Sequence, residues 1–304
     1  MRRWWVLTAV ALLAVPACKK ATAPVPMTVR KPQVPRGEGV VVVAAAGDIS
    51  YDKPARQAWT SDLVLGGDYE AVLLLGDNQY PSGTLDTYQR FFHPTWGRFK
   101  NRIYPSPGNH EYLTPNAAGY YQYFGERAGD PSKGYYSFDL GSWHLIALNT
   151  NDKCKVVPCG ADSEQLKWLD ADLKKSGKKC TLAFWHHPRF SSGSHGDLEL
   201  LVPLWDVLSA NGVDVVLNGH DHVYERFAPQ TSAGKPDPAG MVQFTVGTGG
   251  ADAYEIKGKK SSSVVAEASS HGILALSLGT DGYAWDFVSL SISNFTDRGE
   301  GKCH

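Results

Sequence analysis

Short apolar segments alternate with amphipathic ones along residues 40–290, and this alternation limits the possible folds more than any other feature. Apolar runs of four to eight residues are typical of buried strands, and apolar residues at helical spacing are typical of helices. Strands are predicted at 40–46, 71–75, 103–107, 135–140, 143–149, 181–185, 213–217, 242–246, 273–278 and 283–290, and helices at 54–65, 85–92, 163–175 and 198–210. Interleaved strands and helices predict an α/β domain with a substantial core.

Polar side chains follow five of these predicted strands, at the point where each strand ends. They are Asp48, Asp77 with Tyr80, Asn109 with His110, His186, and His220 with His222. Binding sites in α/β sheets form in the crevice beyond the carboxyl ends of the strands, so these side chains are expected to converge. Each signal alone is weak, because an aspartate after a strand is usually a turn or cap residue. Their joint occurrence favours a metal site.

The charge balance excludes several classes of protein. Thirty basic and thirty-one acidic residues give a net charge of −1. Such a balance provides no electrostatic footprint for long nucleic acid or an acidic membrane surface. The mean hydropathy of −0.28 excludes a protein with many membrane spans.

The N-terminal segment has the pattern of an export signal. Basic residues precede an apolar run at 4–15, which is too short to span a bilayer. The ending Val15-Pro16-Ala17-Cys18 resembles a bacterial lipobox, in which the cysteine is lipidated. We therefore expect an exported, membrane-anchored lipoprotein, periplasmic or on the outer surface, with a plain secreted protein as the alternative. The predicted organisation is a signal peptide at 1–17, a proline-rich linker at 18–39 and one catalytic domain at 40–304.

Several motifs together resemble one family, the calcineurin-like metallophosphoesterases, and within it the branch that includes purple acid phosphatases. The motifs are Asp48, Gly76-Asp77-x-x-Tyr80, Gly108-Asn109-His110-Glu111, His186, Gly219-His220-x-His222, the run 222–226 and Gly247-Thr248-Gly249-Gly250. The resemblance covers nearly everything from Val40 onward. One departure is Ser50, which stands where the family usually has glycine in its first motif. The resemblance implies a four-layer αββα sandwich of two mixed β-sheets flanked by helices, the metallophosphoesterase fold.

The resemblance also implies a ligand set for each of two metal ions: Asp48, Tyr80 and His222 for the first, and Asn109, His186 and His220 for the second, bridged by Asp77. Carboxylate, imidazole, amide and phenolate ligands suit hard or borderline ions. A phenolate from Tyr80 favours Fe(III), paired with Zn(II), Mn(II) or Fe(II). If Tyr80 only stacks in the pocket, both ions could be divalent zinc or manganese.

Two further histidines are implied to act on the substrate. The family places a non-ligand histidine near the leaving group, which here is His110. His195 resembles the branch's phosphate-binding histidine, with a solvated loop residue as the alternative. His187 is interpreted as a structural neighbour of the ligands.

The function implied is that of an acid phosphatase-like enzyme that hydrolyses the phosphate monoesters of small substrates by attack of metal-bound hydroxide. The alternatives are a phosphodiesterase or nuclease on the same scaffold, and a catalytically idle binding protein. The sequence gives no indication of oligomeric state.

The five cysteines are an odd number, which a lipidated Cys18 would explain. The remaining four allow three pairings. One joins Cys154 to Cys159 and Cys180 to Cys303, and two such bonds suit an oxidising compartment. A cysteine zinc site is the rival interpretation.

Overall fold

A pair of mixed β-sheets dominates the computed structural model, which describes Met1 and residues 29–52, 56–290 and 292–304. The strands are β1 (Val41–Ala46), β2 (Ala71–Leu75), β3 (Ile103–Ser106), β4 (Tyr136–Leu140), β5 (Trp143–Ala147), β6 (Cys180–Phe184), β7 (Val215–Asn218), β8 (Tyr224–Phe227), β9 (Val242–Val246), β10 (Ser263–Glu267), β11 (Gly272–Leu278), β12 (Gly282–Ser289) and β13 (Arg298–Lys302). The α-helices are α1 (Arg56–Gly66), α2 (Leu85–Thr87), α3 (Ala118–Phe124), α4 (Glu164–Lys175) and α5 (Val202–Ala210). The predicted signal peptide and Cys18 lie outside the described residues. Among the helices described, none has the length and apolar character needed to cross a membrane.

Each sheet contains a block of adjacent parallel strands. Within the described residues, one sheet has the order β13-β12-β11-β1-β2-β3, in which β1, β2 and β3 run parallel. The other has the order β10-β8-β9-β7-β6-β5-β4, in which β5, β6, β7 and β9 run parallel. The predicted α/β class and the pair of mixed sheets with flanking helices are therefore confirmed.

Alternate residues of the central strands face two different apolar cores. On β6, Leu182 and Phe184 point into the core between the two sheets. Ala183 points the other way, into a core shared with α4 and α5. Helix α4 begins as predicted, where the hydroxyl of Ser163 accepts a hydrogen bond from the amide of Leu166. Burial on both faces explains why these strands are nearly continuous apolar runs.

Four elements were not predicted, namely α3, β8, β10 and β13. Strand β13 has the sequence Arg-Gly-Glu-Gly-Lys, in which no residue is apolar. It forms at a sheet edge, where backbone hydrogen bonds to β12 suffice. Strand β8 has two adjacent charged residues, Glu225 and Arg226, and Glu225 is buried through contacts that a sequence pattern does not show.

Residues 29–36 lie against the six-stranded sheet without forming a helix or strand. The guanidinium of Arg30 donates two hydrogen bonds, of 2.8 and 2.9 Å, to the buried carboxylate of Asp286. The amide of Gln33 donates to the same carboxylate, and Ser277 donates its hydroxyl hydrogen to the carbonyl of Pro35. The described part of the predicted linker is thus tied to β11 and β12. The domain boundaries themselves stay predictions.

Both disulfides of one predicted pairing are present. Cys154 is bonded to Cys159, and Cys180 to Cys303, with Cα–Cα distances of 5.2 and 5.4 Å. The first closes a short loop after β5. The second joins the end of the chain to the start of β6.

Candidate metal centre

The carboxyl ends of the parallel strands from both sheets meet at one edge of the sandwich. The amide of Gly47, after β1, donates to the carbonyl of Val246 on β9. The amide of Gly219, after β7, donates to the carbonyl of His186. The crevice expected from the strand pattern therefore forms between the two sheets, and all seven predicted ligands lie in it.

The first predicted ligand group is organised around the phenol of Tyr80. Its oxygen lies 2.8 Å from Oδ1 of Asp48 and 3.0 Å from Nε2 of His222. Nδ1 of His222 donates to the carbonyl of Asp252 at 2.6 Å, because a carbonyl can only accept. This fixes the ring so that Nε2 presents its lone pair to the group.

The second predicted ligand group is organised around the imidazole of His186. Its Nε2 lies 3.2 Å from Oδ1 of Asn109 and 3.2 Å from Nδ1 of His220. Nδ1 of His186 donates to the carbonyl of Leu75 at 2.8 Å. Nε2 is therefore free to act as a ligand.

Asp77 touches both groups. Its Oδ2 lies 3.1 Å from the phenol oxygen of Tyr80 and 3.2 Å from Nε2 of His186. Its Oδ1 accepts a hydrogen bond from the amide of His110. The contacts thus divide the seven residues into the same two sets that the family resemblance implies, with Asp77 between them.

Three of the seven residues have a left-handed backbone. The φ angles of Asp48, Asp77 and His220 are 59°, 48° and 70°. This conformation is uncommon for non-glycine residues, and where the surrounding structure enforces it, it often marks a functional site. Each of the three follows a glycine, and at Gly76 an added Cβ would lie 2.6 Å from the ring of His186. The glycines in the motifs therefore let the ligands approach one another.

The buried charges of the site fit metal ions. The carboxylates of Asp48 and Asp77 are at most 2% exposed, and within the described chain neither pairs with a lysine or arginine. Two buried carboxylates without a cation are costly. Burial alone would lower the pKa of His186, but the charge of Asp77 outweighs it and raises the pKa to about 9. Without metal, a proton on His186 thus supplies positive charge that a bound cation would otherwise provide.

His110 lies beside the ligands with one nitrogen free. Its Nδ1 donates to the carbonyl of Pro81 at 2.6 Å. Its Nε2 is 3.9 Å from Oδ2 of Asp77, and its ring is tilted against that of Tyr80 at 4.4 Å. The histidine is partly exposed and can reach a substrate that enters the crevice.

His195 also reaches the site, held by a residue that the sequence analysis did not single out. Its ring lies 4.0 Å from that of His220. Its Nδ1 is 3.0 Å from the buried carboxylate of Asp221, which also accepts the amide of His195. Burial would raise the pKa of Asp221, but the hydrogen bond from His195 lowers it. Asp221 lies between the two histidines of Gly-His-Asp-His. Its position in that motif was the sequence signal that could have indicated its role.

Glu111 is a second residue without a predicted role. Its fully buried carboxylate accepts hydrogen bonds from the amides of Asn78, Gln79 and Gly108 and from the phenol of Tyr88. Burial and the nearby charge of Asp77 raise the pKa of Glu111 to about 7. The carboxylate joins the loop after β2 to the loop after β3, and so sets the distance between Asp77 and Asn109. The position of Glu111 in the Gly-Asn-His-Glu motif was the sequence signal that could have indicated this role.

Replacing this carboxylate tests its role. In Glu111→Gln, one acceptor oxygen becomes a donor that faces an existing donor. We expect a loss of about 1–3 kcal/mol in unfolding free energy and about 10–100-fold weaker metal binding. Urea denaturation and competition with a chelator measure the two effects. Unchanged metal affinity would show that Glu111 does not position the ligands.

Two facing mixed sheets with candidate metal ligands at one edge are typical of metallophosphoesterases, and comparison with known proteins supports that class. Residues 41–224 match the model of the calcineurin-like phosphoesterase family. The chain is 29% identical over 246 residues to purple acid phosphatase 18 of Arabidopsis thaliana, covering 72% of this chain and 52% of that protein. It is 30% identical over 243 residues to purple acid phosphatase 21 of the same plant, with the same coverage.

The fold agrees with the sequence comparisons. The structure of purple acid phosphatase PPD1 from yellow lupin (Lupinus luteus) covers 86% of this chain and 54% of its own, with a TM-score of 0.70 and 17% identity. The chain belongs to the calcineurin-like phosphoesterase family, in the branch that resembles purple acid phosphatases. It spans about half the length of the curated relatives that it matches.

Proposed function

We propose that this protein is a phosphoesterase that binds two metal ions and hydrolyses phosphate monoesters of small substrates. The observation that carries the proposal is the division of the seven ligands into two groups that share Asp77. Two metal ions held in this way would make hydroxide available near neutral pH and offset the charge that develops on the phosphoryl group.

The chain's own side chains would then hold the substrate and move the proton. His195, fixed by Asp221, is placed to donate a hydrogen bond to the phosphoryl oxygens. His110, whose Nε2 is free, is placed to protonate the departing alkoxide. A histidine in that role typically contributes about 10²- to 10⁴-fold to the rate.

Parallel assays of a monoester and a diester test the proposal. After reconstitution with iron, zinc or manganese, p-nitrophenyl phosphate should be hydrolysed faster than bis(p-nitrophenyl) phosphate. The reverse order would favour a phosphodiesterase. Fewer than one metal ion per chain and no turnover of either ester would favour a binding protein without catalytic activity.

Tyr80 should determine which metal the first group prefers. Burial and the negative charges of Asp48 and Asp77 raise the pKa of Tyr80 well above its ordinary value, so phenolate formation requires a strongly acidic cation. We therefore propose Fe(III) there, with Zn(II), Mn(II) or Fe(II) in the second group. The iron form should show a visible absorption band that Tyr80→Phe abolishes.

Tyr51 provides the matched control for that measurement. Its ring stacks on that of Tyr80 at 4.5 Å, with 7° between the planes, yet it is absent from both ligand groups. Tyr51→Phe should keep the visible band. A wild-type iron form without a band would contradict phenolate ligation.

We also propose export, with a lipid anchor on Cys18. The basic start, the apolar run and the Val-Pro-Ala-Cys ending support it, as do two disulfides that suit an oxidising compartment. Fractionation of cells that produce the full chain should place it with membranes. The Cys18→Ser variant should lack the lipid and its mass. A wild-type protein from the membrane fraction whose mass showed no added lipid would contradict lipidation.

A further inference from the structure

The disulfide loop after β5 borders the metal centre. It leaves β5, which pairs in parallel with β6, the strand that ends two residues before His186. The hydroxyl of Thr150 lies 2.8 Å from Nδ1 of His187. This hydrogen bond connects the start of the loop to the segment that carries His186. The loop then passes Lys153 and closes through the bond between Cys154 and Cys159.

The backbone of this loop is fixed by contacts of its own. The buried side chain of Asn151 donates to the carbonyl of Val157 and accepts from the amide of Val156. Asn151, Lys153 and Cys154 all have positive φ angles, of 32°, 50° and 61°. Such conformations persist only where the surroundings enforce them. The position from which Lys153 extends is therefore determined.

Lys153 borders the candidate site and has no ion-pair partner within the described residues. It lines a cavity of about 60 Å³ together with His187, His195 and His220. Asp197 lines the same cavity, but its carboxylate is paired with the ammonium of Lys260 at 2.9 Å. Within the described residues, no carboxylate lies within salt-bridge distance of Lys153, whereas Lys155 pairs with Asp152 at 2.8 Å.

A second lysine approaches His195 by another route. Nζ of Lys257 lies 3.4 Å from the carbonyl of Ser194, and the amide of Lys257 donates to the carbonyl of Ser192. Two lysines from distant parts of the chain thus border the surroundings of His195.

We propose that the site selects phosphate esters whose leaving group carries a second anionic group, which Lys153 binds, with Lys257 assisting. This inference rests on the proposed phosphoesterase function and names its substrate class. In the proposed function, the phosphoryl group would be bound by the metal ions that the seven residues hold and by His195. Lys153 makes no hydrogen bond to any of these within the described chain, so its ammonium is available to a group further out on the same substrate.

Two phosphonates that differ by one carboxylate test the proposal without turnover. Calorimetry on the zinc-reconstituted protein compares phenylphosphonate with 4-carboxyphenylphosphonate. One exposed ion pair favours the carboxylated ligand by about fivefold in the wild type. Lys153→Met should remove most of that preference and change phenylphosphonate binding less than twofold. Raising the salt concentration should reduce the wild-type preference.

Lys155→Met is the matched control, because it removes a lysine of the same loop that already has a partner. It should leave the preference intact, and Lys153→Arg should retain it. A wild type without preference, a preference that survives Lys153→Met, or equal weakening of both ligands would overturn the proposal. Phosphonate binding with normal preference but no hydrolysis of phenyl phosphate would instead overturn the phosphoesterase function.

Discussion

Asp77→Asn is expected to lower the hydrolysis of phosphate monoesters by roughly 10³-fold or more, because Asp77 is the residue proposed to bridge both metal ions. Loss of their charge stabilisation costs several kcal/mol in the transition state, and each 1.36 kcal/mol is tenfold in rate. Asparagine keeps the shape of the side chain and removes its charge. Elemental analysis should find fewer than two metal ions per chain, and steady-state kinetics should show the loss in kcat.

Asp214→Asn is the control for this variant. Asp214 is also a buried carboxylate, and it accepts hydrogen bonds from the amides of Thr181 and His304, away from the ligands. It should keep both metal ions and most of the activity. An Asp77→Asn protein with two metal ions per chain and wild-type turnover would contradict the two-metal mechanism.

Removal of the Cys180–Cys303 bond is expected to have the largest effect on stability. The bond joins residues 123 positions apart, and the chain-entropy model assigns such a crosslink about 5 kcal/mol. The double variant Cys180→Ala, Cys303→Ala should therefore unfold at a much lower urea concentration. Equilibrium denaturation of both proteins measures the difference.

The second disulfide provides the comparison. Cys154 and Cys159 are 5 positions apart, for which the same model gives about 2 kcal/mol. The double variant Cys154→Ala, Cys159→Ala should therefore be the more stable of the two. If the two double variants lost equal stability, loop length would not explain the contribution of these bonds.

The central strands could be predicted because strands that are buried on both faces consist almost entirely of apolar residues. Strand β2 is five apolar residues, and its bounds were predicted without error. Edge elements could not be predicted in this way. Strand β13 depends on the backbone of β12 and carries no apolar pattern, and Arg30 is held by Asp286, which is remote in sequence.

The candidate ligands could be found because each follows a strand, and the strand ends converge. Residues that act through a ligand were harder to find. Asp221 and Glu111 lie within the quoted motifs, but their roles depend on which donors surround them in space. Lys153 carries no motif at all, because its proximity to His195 depends on the path of the loop.

The placement of β1 between β2 and β11 has a consequence for the order of events during biosynthesis. Val41 lies opposite Leu278, so one edge of β1 stays open until almost the whole chain has been made. Pairing between such distant segments slows folding. Until it occurs, an apolar strand with an unpaired edge is prone to associate with other chains. We therefore expect the candidate ligands near the start of the chain to acquire their final geometry only after β11 has been synthesised.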